Sequence, residues 1–216
     1  MGVYSNLQIA QAIDDGQIVL HPLAVENIRG SSVDLTLGEW YFTCDNHSRG
    51  VYNPFDEDDV KAYFGEPKKA GFPVDNFFKG VPKEHPVIWL GPRQRILAHT
   101  HEFIGIKPPG TSEMRARSSW GRNGIAVCLC AGWGDPGYIN RWTMEIHNTN
   151  DQSVPLPVGE RVAQLIFHTT GEVQGDYGDG GKYQTSTDID QIVADWSPED
   201  MLPRSFKDER KLPLPL

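Results

Sequence analysis

The chain has 216 residues, a length at which mainly β proteins often form a single domain. Its net charge of −9 disfavours a broad nucleic-acid surface, because neutralising phosphates requires clustered Lys and Arg. No apolar run approaches the ~20 residues that cross a bilayer, and the first residues, MGVYSNLQIA, lack the pattern of a secretory signal. We therefore expect a cytoplasmic protein that neither enters membranes nor binds nucleic acid.

The first predicted element is a short amino-terminal helix. Ser5-Asn6-Leu7-Gln8 has the form of a capping box, in which a serine and a glutamine satisfy the first free backbone N–H groups. Ala10 and Ile13 continue the helical spacing of Leu7, and Gly16 is placed to end the helix.

Strands are predicted along most of the remaining chain. Residues 32–38 alternate polar and apolar side chains, which is typical of a half-buried strand. Similar segments follow between Gly, Pro and Asn residues, at 87–90, 95–99, 125–130, 143–148 and 161–167. The sequence therefore predicts a mainly β architecture.

Two regions depart from this rhythm. Residues 44–86 mix acidic residues, prolines and aromatic residues and are interpreted as an insertion. The chain after residue 190 carries prolines and charges of both signs and follows a glycine-rich stretch at 175–181. We predict one domain at 1–190, with an insertion at about 44–86, and an extension at 191–216.

The block Arg117-Ser118-Ser119-Trp120-Gly121-Arg122 offers two guanidinium groups and two hydroxyls. Arginine binds phosphate oxygens in a bidentate manner, so the block suits a polyphosphate. Taken alone it is equally compatible with surface ion pairs and with serines that cap a helix.

Together with three later blocks, this one resembles a known family. Arg-Ser-Ser-x-x-Arg-x-Gly at 117–124 precedes Ala-x-x-x-Asp-Pro-Gly at 131–137, a glutamate at 145, and Gly-x-x-x-x-Gln-Leu at 159–165. In order and spacing these motifs resemble the dCTP deaminases, a branch of the dUTPase superfamily. Met144 departs from the pattern, where a leucine would be expected before the glutamate.

The resemblance implies a distorted jelly-roll subunit in a homotrimer whose active sites are shared between subunits. It implies catalytic roles for Glu145 as the base that activates water, and for Ser118, Arg122 and the carbonyl of Ala131, which would orient the water and the cytosine amino group. Asp135 would receive the 3′-hydroxyl, and Tyr138 would pack on the sugar.

Phosphate contacts are implied for Arg117, Ser119, Gln164, Tyr177 and Lys182, with Mg²⁺ arriving on the nucleotide. Ser186 stands where the family would carry a further glutamine, and Gln184 is the candidate to replace it. Thr143 is a candidate substrate contact because it shares a strand face with Glu145.

The residues around Glu145 support its role independently. Replacement of the amino group at C4 requires a group that deprotonates water and then delivers protons, and a carboxyl whose pKa is raised by burial can do both. Alternation places Glu145 opposite Met144 and Ile146, so that it faces a cleft if those two face the core. The alternative is an ordinary solvent-facing strand glutamate.

Zinc-dependent cytosine deaminases carry a His/Cys-x-Glu and a Pro-Cys-x-x-Cys signature. Neither occurs in this sequence: Cys128 and Cys130 have the wrong spacing, and His99 and His101 are more typical of two strand residues on one face. We therefore expect no zinc.

The leading functional hypothesis is deamination of dCTP to dUTP, with a bifunctional variant that continues to dUMP and pyrophosphate. The resemblance implies the bifunctional type, because its members often carry Ala-Gly and the glutamine that stand here as Ala131-Gly132 and Gln164, although Gly132 could equally serve the turn before Asp135. The alternatives are a plain dUTPase, in which the position of Glu145 would ordinarily be apolar, and a non-catalytic nucleotide-sensing or protein-binding trimer.

Overall fold

The computed structural model describes residues 2–44, 50–72, 79–175, 177–184 and 186–208. The helices in these ranges are α1 (Asn6–Asp14), α2 (Glu57–Phe64), α3 (Ser118–Arg122) and α4 (Ile189–Asp195), and short 3-10 turns lie at Val25–Asn27, Tyr177–Asp179, Pro198–Met201 and Ser205–Lys207. The strands are β1 (Ile18–His21), β2 (Ile28–Arg29), β3 (Ser32–Thr43), β4 (Lys68–Lys69), β5 (Val87–Leu90), β6 (Arg95–Ile106), β7 (Gly110–Ala116), β8 (Ile125–Ala126), β9 (Trp133–Gly134), β10 (Ile139–Asn148), β11 (Val154–Pro157) and β12 (Arg161–Thr169).

Within the described ranges, ten strands form one antiparallel sheet whose main path is β8-β10-β6-β3-β12-β7-β9. The first part of β3, residues 33–36, pairs with β12, and its second part, residues 37–43, pairs with β6. This long strand therefore carries the sheet from one half of the molecule to the other, and the sheet curls around the core as in a jelly roll. The predicted mainly β fold is confirmed.

The principal core fills the inside of the curled sheet. Leu35, Ile96, Met144 and Phe167 come from four different strands, and each is fully buried. Helix α1 adds its own apolar face to this core. The helix begins as predicted, with the reciprocal bonds of the capping box formed between Ser5 and Gln8.

The outer face of the β10-β6-β3 region is covered by two segments that are distant in sequence. Helix α2 lies in the predicted insertion, and the 3-10 turn Pro198–Met201 lies in the predicted extension. Val60 and Phe64 of α2 form one buried cluster with Met201 of the extension and with Phe42 and Leu97 of the sheet. We call residues 50–64 and 196–206 together the cap.

Helix α4 fixes the beginning of the extension to the sheet. Ile192 packs on Phe103 and Ile139, and the guanidinium of Arg141 lies between the rings of Phe103 and Trp196, 4.7 and 4.4 Å from their centroids. The beginning of the predicted extension is therefore held by packing as well as by charge. In the parts of the chain that the structure describes, no helix has the length and apolar character needed to cross a membrane.

One strand prediction is wrong in part. The strand expected at 125–130 ends after Ala126, because Cys128 has a positive φ of 60°, a conformation that no strand accommodates. Cys128 and Cys130 therefore lie in a loop. By contrast, the strands predicted at 32–38, 95–99 and 143–148 continue beyond those limits, as β3, β6 and β10.

Candidate active site

Strand β10 places Glu145 in a cavity. Met144 and Ile146 are fully buried in the principal core, whereas Thr143 and Glu145 line a cavity on the opposite face. The alternation predicted from the sequence is thus confirmed, and Glu145 does not point freely into solvent.

The cavity has a volume of about 490 Å³, which lies within the range of small-molecule pockets. Its lining combines polar, aromatic and aliphatic side chains. The lining residues are Tyr52, Pro54, Phe64, Arg95, Leu97, Ala131, Trp133, Asp135, Tyr138, Trp142, Thr143, Glu145, Tyr177, Tyr183, Met201 and Pro203.

Glu145 has the environment of a proton-transfer group. Burial raises the pKa of its carboxyl, and a hydrogen bond from the backbone N–H of Leu129 and the more distant charge of Arg95 oppose that rise. One carboxylate oxygen, Oε2, is buried and has no hydrogen-bond partner among the described residues. A carboxyl with a raised pKa and a free oxygen can accept a proton from water and deliver it to a bound ligand.

The loop from Val127 to Ala131 and the following short strand β9 form the wall beside Glu145. The N–H of Met114 donates to the carbonyl of Gly132 at 2.7 Å, and a Cβ at position 132 would overlap that methionine's carbonyl oxygen. Glycine at 132 is therefore required by the close approach of two backbones.

Asp135 and Tyr138 also line the cavity. The N–H of Tyr138 donates to the carbonyl of Asp135 at 3.0 Å, which closes the Asp-Pro-Gly-Tyr turn. The ring of Tyr138 packs edge to face on Trp142 and Tyr177, with centroid distances of 5.2 and 5.1 Å. Asp135 is exposed, so its carboxylate remains available to a ligand.

Gln184 holds the segment that precedes α4 against the start of β10. Its side-chain oxygen accepts from the N–H of Ile139 at 2.7 Å, and its amide nitrogen donates to the carbonyls of Gly137 and Ser186 at 3.1 and 2.9 Å. Gln184 is only 3% exposed. In this conformation its amide bonds the backbone and does not face the cavity, in contrast to the phosphate contact expected from the sequence.

We expect Gln184→Ala to lower the free energy of unfolding by about 1–3 kcal/mol, because it leaves buried backbone groups without partners. The measurement is urea-induced unfolding followed by tryptophan fluorescence. Gln174→Ala, at an exposed position before the 3-10 turn, is the control and should leave stability unchanged. Equal stability of the two variants would contradict the role of Gln184 as a structural clamp.

The predicted site residues fall into two groups. Six of them line the cavity: Ala131, Asp135, Tyr138, Thr143, Glu145 and Tyr177. The others lie outside it. Ser118, Ser119 and Arg122 are exposed on α3, and Lys182 forms an ion pair with Asp208 at 3.5 Å.

Arg117 and Gln164, also outside the cavity, converge on the buried carboxylate of Asp34. The Gln164 amide donates to Asp34 at 3.2 Å, and the Arg117 guanidinium lies 3.6 Å from the same oxygen. Arg161 binds the second oxygen at 3.1 Å. A single subunit thus holds these two predicted phosphate contacts together, at a place separate from Glu145.

Sequence reasoning missed most of the cavity wall. The cap residues Tyr52, Phe64 and Met201 become neighbours of Glu145 only through docking of the insertion and the extension, for which no local signal exists. Trp142 could have been found, because it directly precedes the Thr143-Met144-Glu145 segment. Trp142 is buried because strand alternation places it with Met144 and Ile146.

The sequence model of the dCTP deaminase-like family matches residues 3–170 of the chain. This chain belongs to the dCTP deaminase-like family. The match includes β1 to β12, α3 and the loop beside Glu145, and it ends before the extension. The division into a domain at 1–190 and an extension at 191–216 stays a prediction.

Relatives in this family extend over nearly the whole chain. A protein named dCTP deaminase, dUMP-forming, from Methanosphaera stadtmanae is 31% identical over 203 residues, which cover 91% of this chain and 96% of the relative. Another of that name, from Methanopyrus kandleri, is 34% identical and covers 78% and 82% of the two chains. A protein named dCTP deaminase from Halorubrum lacusprofundi is 31% identical and covers 84% and 86%.

The fold is shared with a solved structure, the 2′-deoxycytidine 5′-triphosphate deaminase from Agrobacterium tumefaciens. The TM-score is 0.56 at 14% sequence identity, and the match covers 83% of this chain and 53% of the other chain. This chain therefore spans about half the length of that protein. The family and the jelly-roll fold agree with the resemblance found in the sequence.

In the described part of the chain, no three or more His, Cys, Asp or Glu side chains lie close enough together to hold a metal ion. The ring of His99 is buried and bonded to the carbonyl of Thr100 and the N–H of Trp40. Burial lowers the pKa of His99 to about 3, so it is a neutral structural residue.

Proposed function

We propose that this protein hydrolyses the amino group of dCTP and then releases pyrophosphate to give dUMP. The observation that carries the proposal is the partly buried carboxyl of Glu145, which has a raised pKa and a buried, unpaired oxygen in a cavity of nucleoside-binding size. The names of the archaeal relatives, which describe both the substrate and the product, support it.

In the proposed reaction, ionised Glu145 takes a proton from a water molecule that attacks C4 of cytosine. The protonated carboxyl then delivers that proton to N3. It next takes the proton of the hydroxyl group that has been added at C4 and passes it to the amino nitrogen, so that the C4 carbonyl forms as ammonia leaves. The aromatic walls exclude bulk water, which keeps the carboxyl poorly solvated and its pKa raised. The backbone at Ala131, which lines the cavity, orients the amino group.

For the second step, Asp135 would deprotonate a water molecule that attacks the α-phosphate, and pyrophosphate would leave. Arg117, Ser119, Gln164, Tyr177 and Lys182 are the proposed phosphate contacts. Mg²⁺ is commonly bound through substrate phosphates with one or two carboxylates, and the exposed carboxylate of Asp135 at the cavity fits that donor set. When bound, the ion withdraws charge from the phosphate oxygens.

We further propose a cytoplasmic homotrimer in which a neighbouring subunit completes each site. The division of the predicted site residues into two groups supports this arrangement, because Ser118 and Arg122 are exposed and lie outside their own subunit's cavity. Leu129 and Trp133, on the wall beside Glu145, are 50% and 61% exposed. Exposed apolar side chains at the rim of a site are typical of a surface that another chain covers.

Incubation of the purified protein with dCTP and Mg²⁺ should release ammonia and pyrophosphate in equal amounts, because both steps occur before the product leaves. Ammonia is measured by coupled reductive amination and pyrophosphate by a pyrophosphatase-coupled phosphate assay. Ammonia with accumulating dUTP would show a deaminase that stops at the first step. Pyrophosphate from dUTP without ammonia from dCTP would show a plain dUTPase, and no turnover of either nucleotide would favour a non-catalytic trimer.

A further inference from the structure

The two sides of Glu145 differ in chemistry. On β10, its direct partner across the ladder to β6 is Leu97. On the other side lies β8, whose Ala126 pairs with His147, so the loop after β8 runs beside Glu145 and its Leu129 N–H binds the carboxylate. The side of the loop after β8 therefore offers backbone hydrogen-bonding groups, and the side of β6 offers the aliphatic side chain of Leu97.

This difference fixes how a cytosine ring lies in the cavity. Under the proposed function, the sugar lies at Asp135 and Tyr138, and C4 lies at Glu145. One remaining edge of the ring carries O2 and N3, and the other carries C5 and C6. Burial of polar atoms without partners is strongly unfavourable, so the O2–N3 edge faces the loop and the C5–C6 edge faces Leu97.

The wall on the C5–C6 side continues from the sheet into the cap. Leu97, Phe64 and Met201 all line the cavity, and they are only 7%, 6% and 3% exposed. The three side chains belong to one buried cluster. None of the three carries a polar group that could bind a substituent, so they discriminate by shape.

Phe64 is the member of this wall that is held most firmly. Its ring packs edge to face on Phe42, which is fully buried, at 6.3 Å and on Tyr63 at 5.0 Å. Met201 is unbranched and adapts its shape more readily. A group that projects from C5 therefore meets a ring that is supported from behind and moves little.

We propose that Phe64, a residue of the insertion, determines the size of substituent that this enzyme accepts at C5 of a deoxycytidine nucleotide. The proposal rests on the proposed function. It makes the insertion part of the active site and its aromatic residue a determinant of substrate specificity.

The test compares dCTP with 5-propynyl-dCTP, which carries a rigid linear group at C5. We expect kcat/KM of the unmodified enzyme to be at least ~10-fold lower for the propynyl nucleotide, since hydrophobic pockets discriminate at this level. Phe64→Ala should reduce the ratio of kcat/KM for dCTP to kcat/KM for the propynyl nucleotide at least ~10-fold, and Phe64→Leu should reduce this ratio less. Because both nucleotides are assayed on the same preparation, partial unfolding of a variant cancels from the ratio.

Phe55→Ala is the matched control. Phe55 is a phenylalanine of the same insertion, but it is 66% exposed and does not line the cavity. Its replacement should leave the ratio unchanged. The proposal is overturned if Phe64→Ala keeps the original ratio, if Phe55→Ala narrows it equally, or if the unmodified enzyme uses both nucleotides equally well. Absence of ammonia release from dCTP itself would overturn the proposed function as well.

Discussion

Glu145→Gln should lower the rate of deamination at least ~100-fold, because the amide keeps the volume of the side chain but cannot take a proton from water. Nucleotide binding should be largely retained, since the aromatic walls and the proposed sugar and phosphate contacts are unchanged. The measurements are single-turnover ammonia release and the dissociation constant for dCTP from fluorescence titration. Glu160→Gln, at an exposed position before β12, is the control and should keep full activity.

The pH dependence provides a second check on Glu145. The ionised form of Glu145 is the reactive one, and burial raises its pKa, so activity should fall on acidification at a pH above the ordinary glutamate range.

The raised pKa of Glu145 also affects stability. The native state loses stability as the pH rises through this pKa, because the partly buried carboxyl must then ionise. Glu145→Gln removes this penalty and should melt at or above the unmodified protein's temperature at neutral pH. Near-normal ammonia release from this variant would refute the assignment.

Arg122→Ala should also lower deamination at least ~100-fold, although Arg122 lies outside the cavity of its own chain. The expected loss follows from the proposed contact of Arg122 with a nucleotide in the neighbouring subunit. Because Arg122 is exposed, the melting temperature should not change. Light scattering should give a mass three times that of the chain, for the variant and for the unmodified protein alike.

Complementation distinguishes a shared site from a local one. Arg122→Ala and Glu145→Gln subunits are unfolded and refolded together in equal amounts. About a quarter of the sites should regain activity, namely those in which the Arg122→Ala subunit supplies Glu145 and the Glu145→Gln subunit supplies Arg122. Refolding of each variant alone is the control and should restore nothing. Failure of the mixture to exceed the separate variants, with mixed trimers verified by mass spectrometry, would place Arg122 and Glu145 in different sites or in the same subunit's site.

The sequence was most informative where local chemistry determines structure. The capping box at Ser5 predicts the start of α1, and the alternation at 143–146 predicts which face of β10 carries Glu145. Both depend on interactions between near neighbours. The prediction of a strand over 125–130 was wrong beyond Ala126, because Cys128 adopts a positive φ. This conformation is uncommon for non-glycine residues, and a cysteine at this position does not predict it.

The candidate site could be predicted only in part for a similar reason. Motif spacing identified Asp135, Tyr138 and Glu145, which the structure brings to one cavity. The placement of Phe64 and Met201 in one cluster depends on packing between segments that are distant in the chain. The spacing of apolar residues along the sequence does not predict such a contact. The separation of Arg117 and Gln164 from Glu145 likewise depends on the curl of the sheet, which sends β12 and β10 to different halves.

The cap has a consequence for the folding of the protein during its synthesis in the cell. Chains fold from the amino terminus as they leave the ribosome, yet Met201 and Pro203, near the end of the chain, complete the wall that α2 begins. A nascent chain can therefore build most of its curled sheet while its cavity is still open on the cap side. We expect catalytic competence to arise only after Met201 and Pro203 have left the ribosome, so that a ribosome stalled before the extension would display a folded but inactive domain.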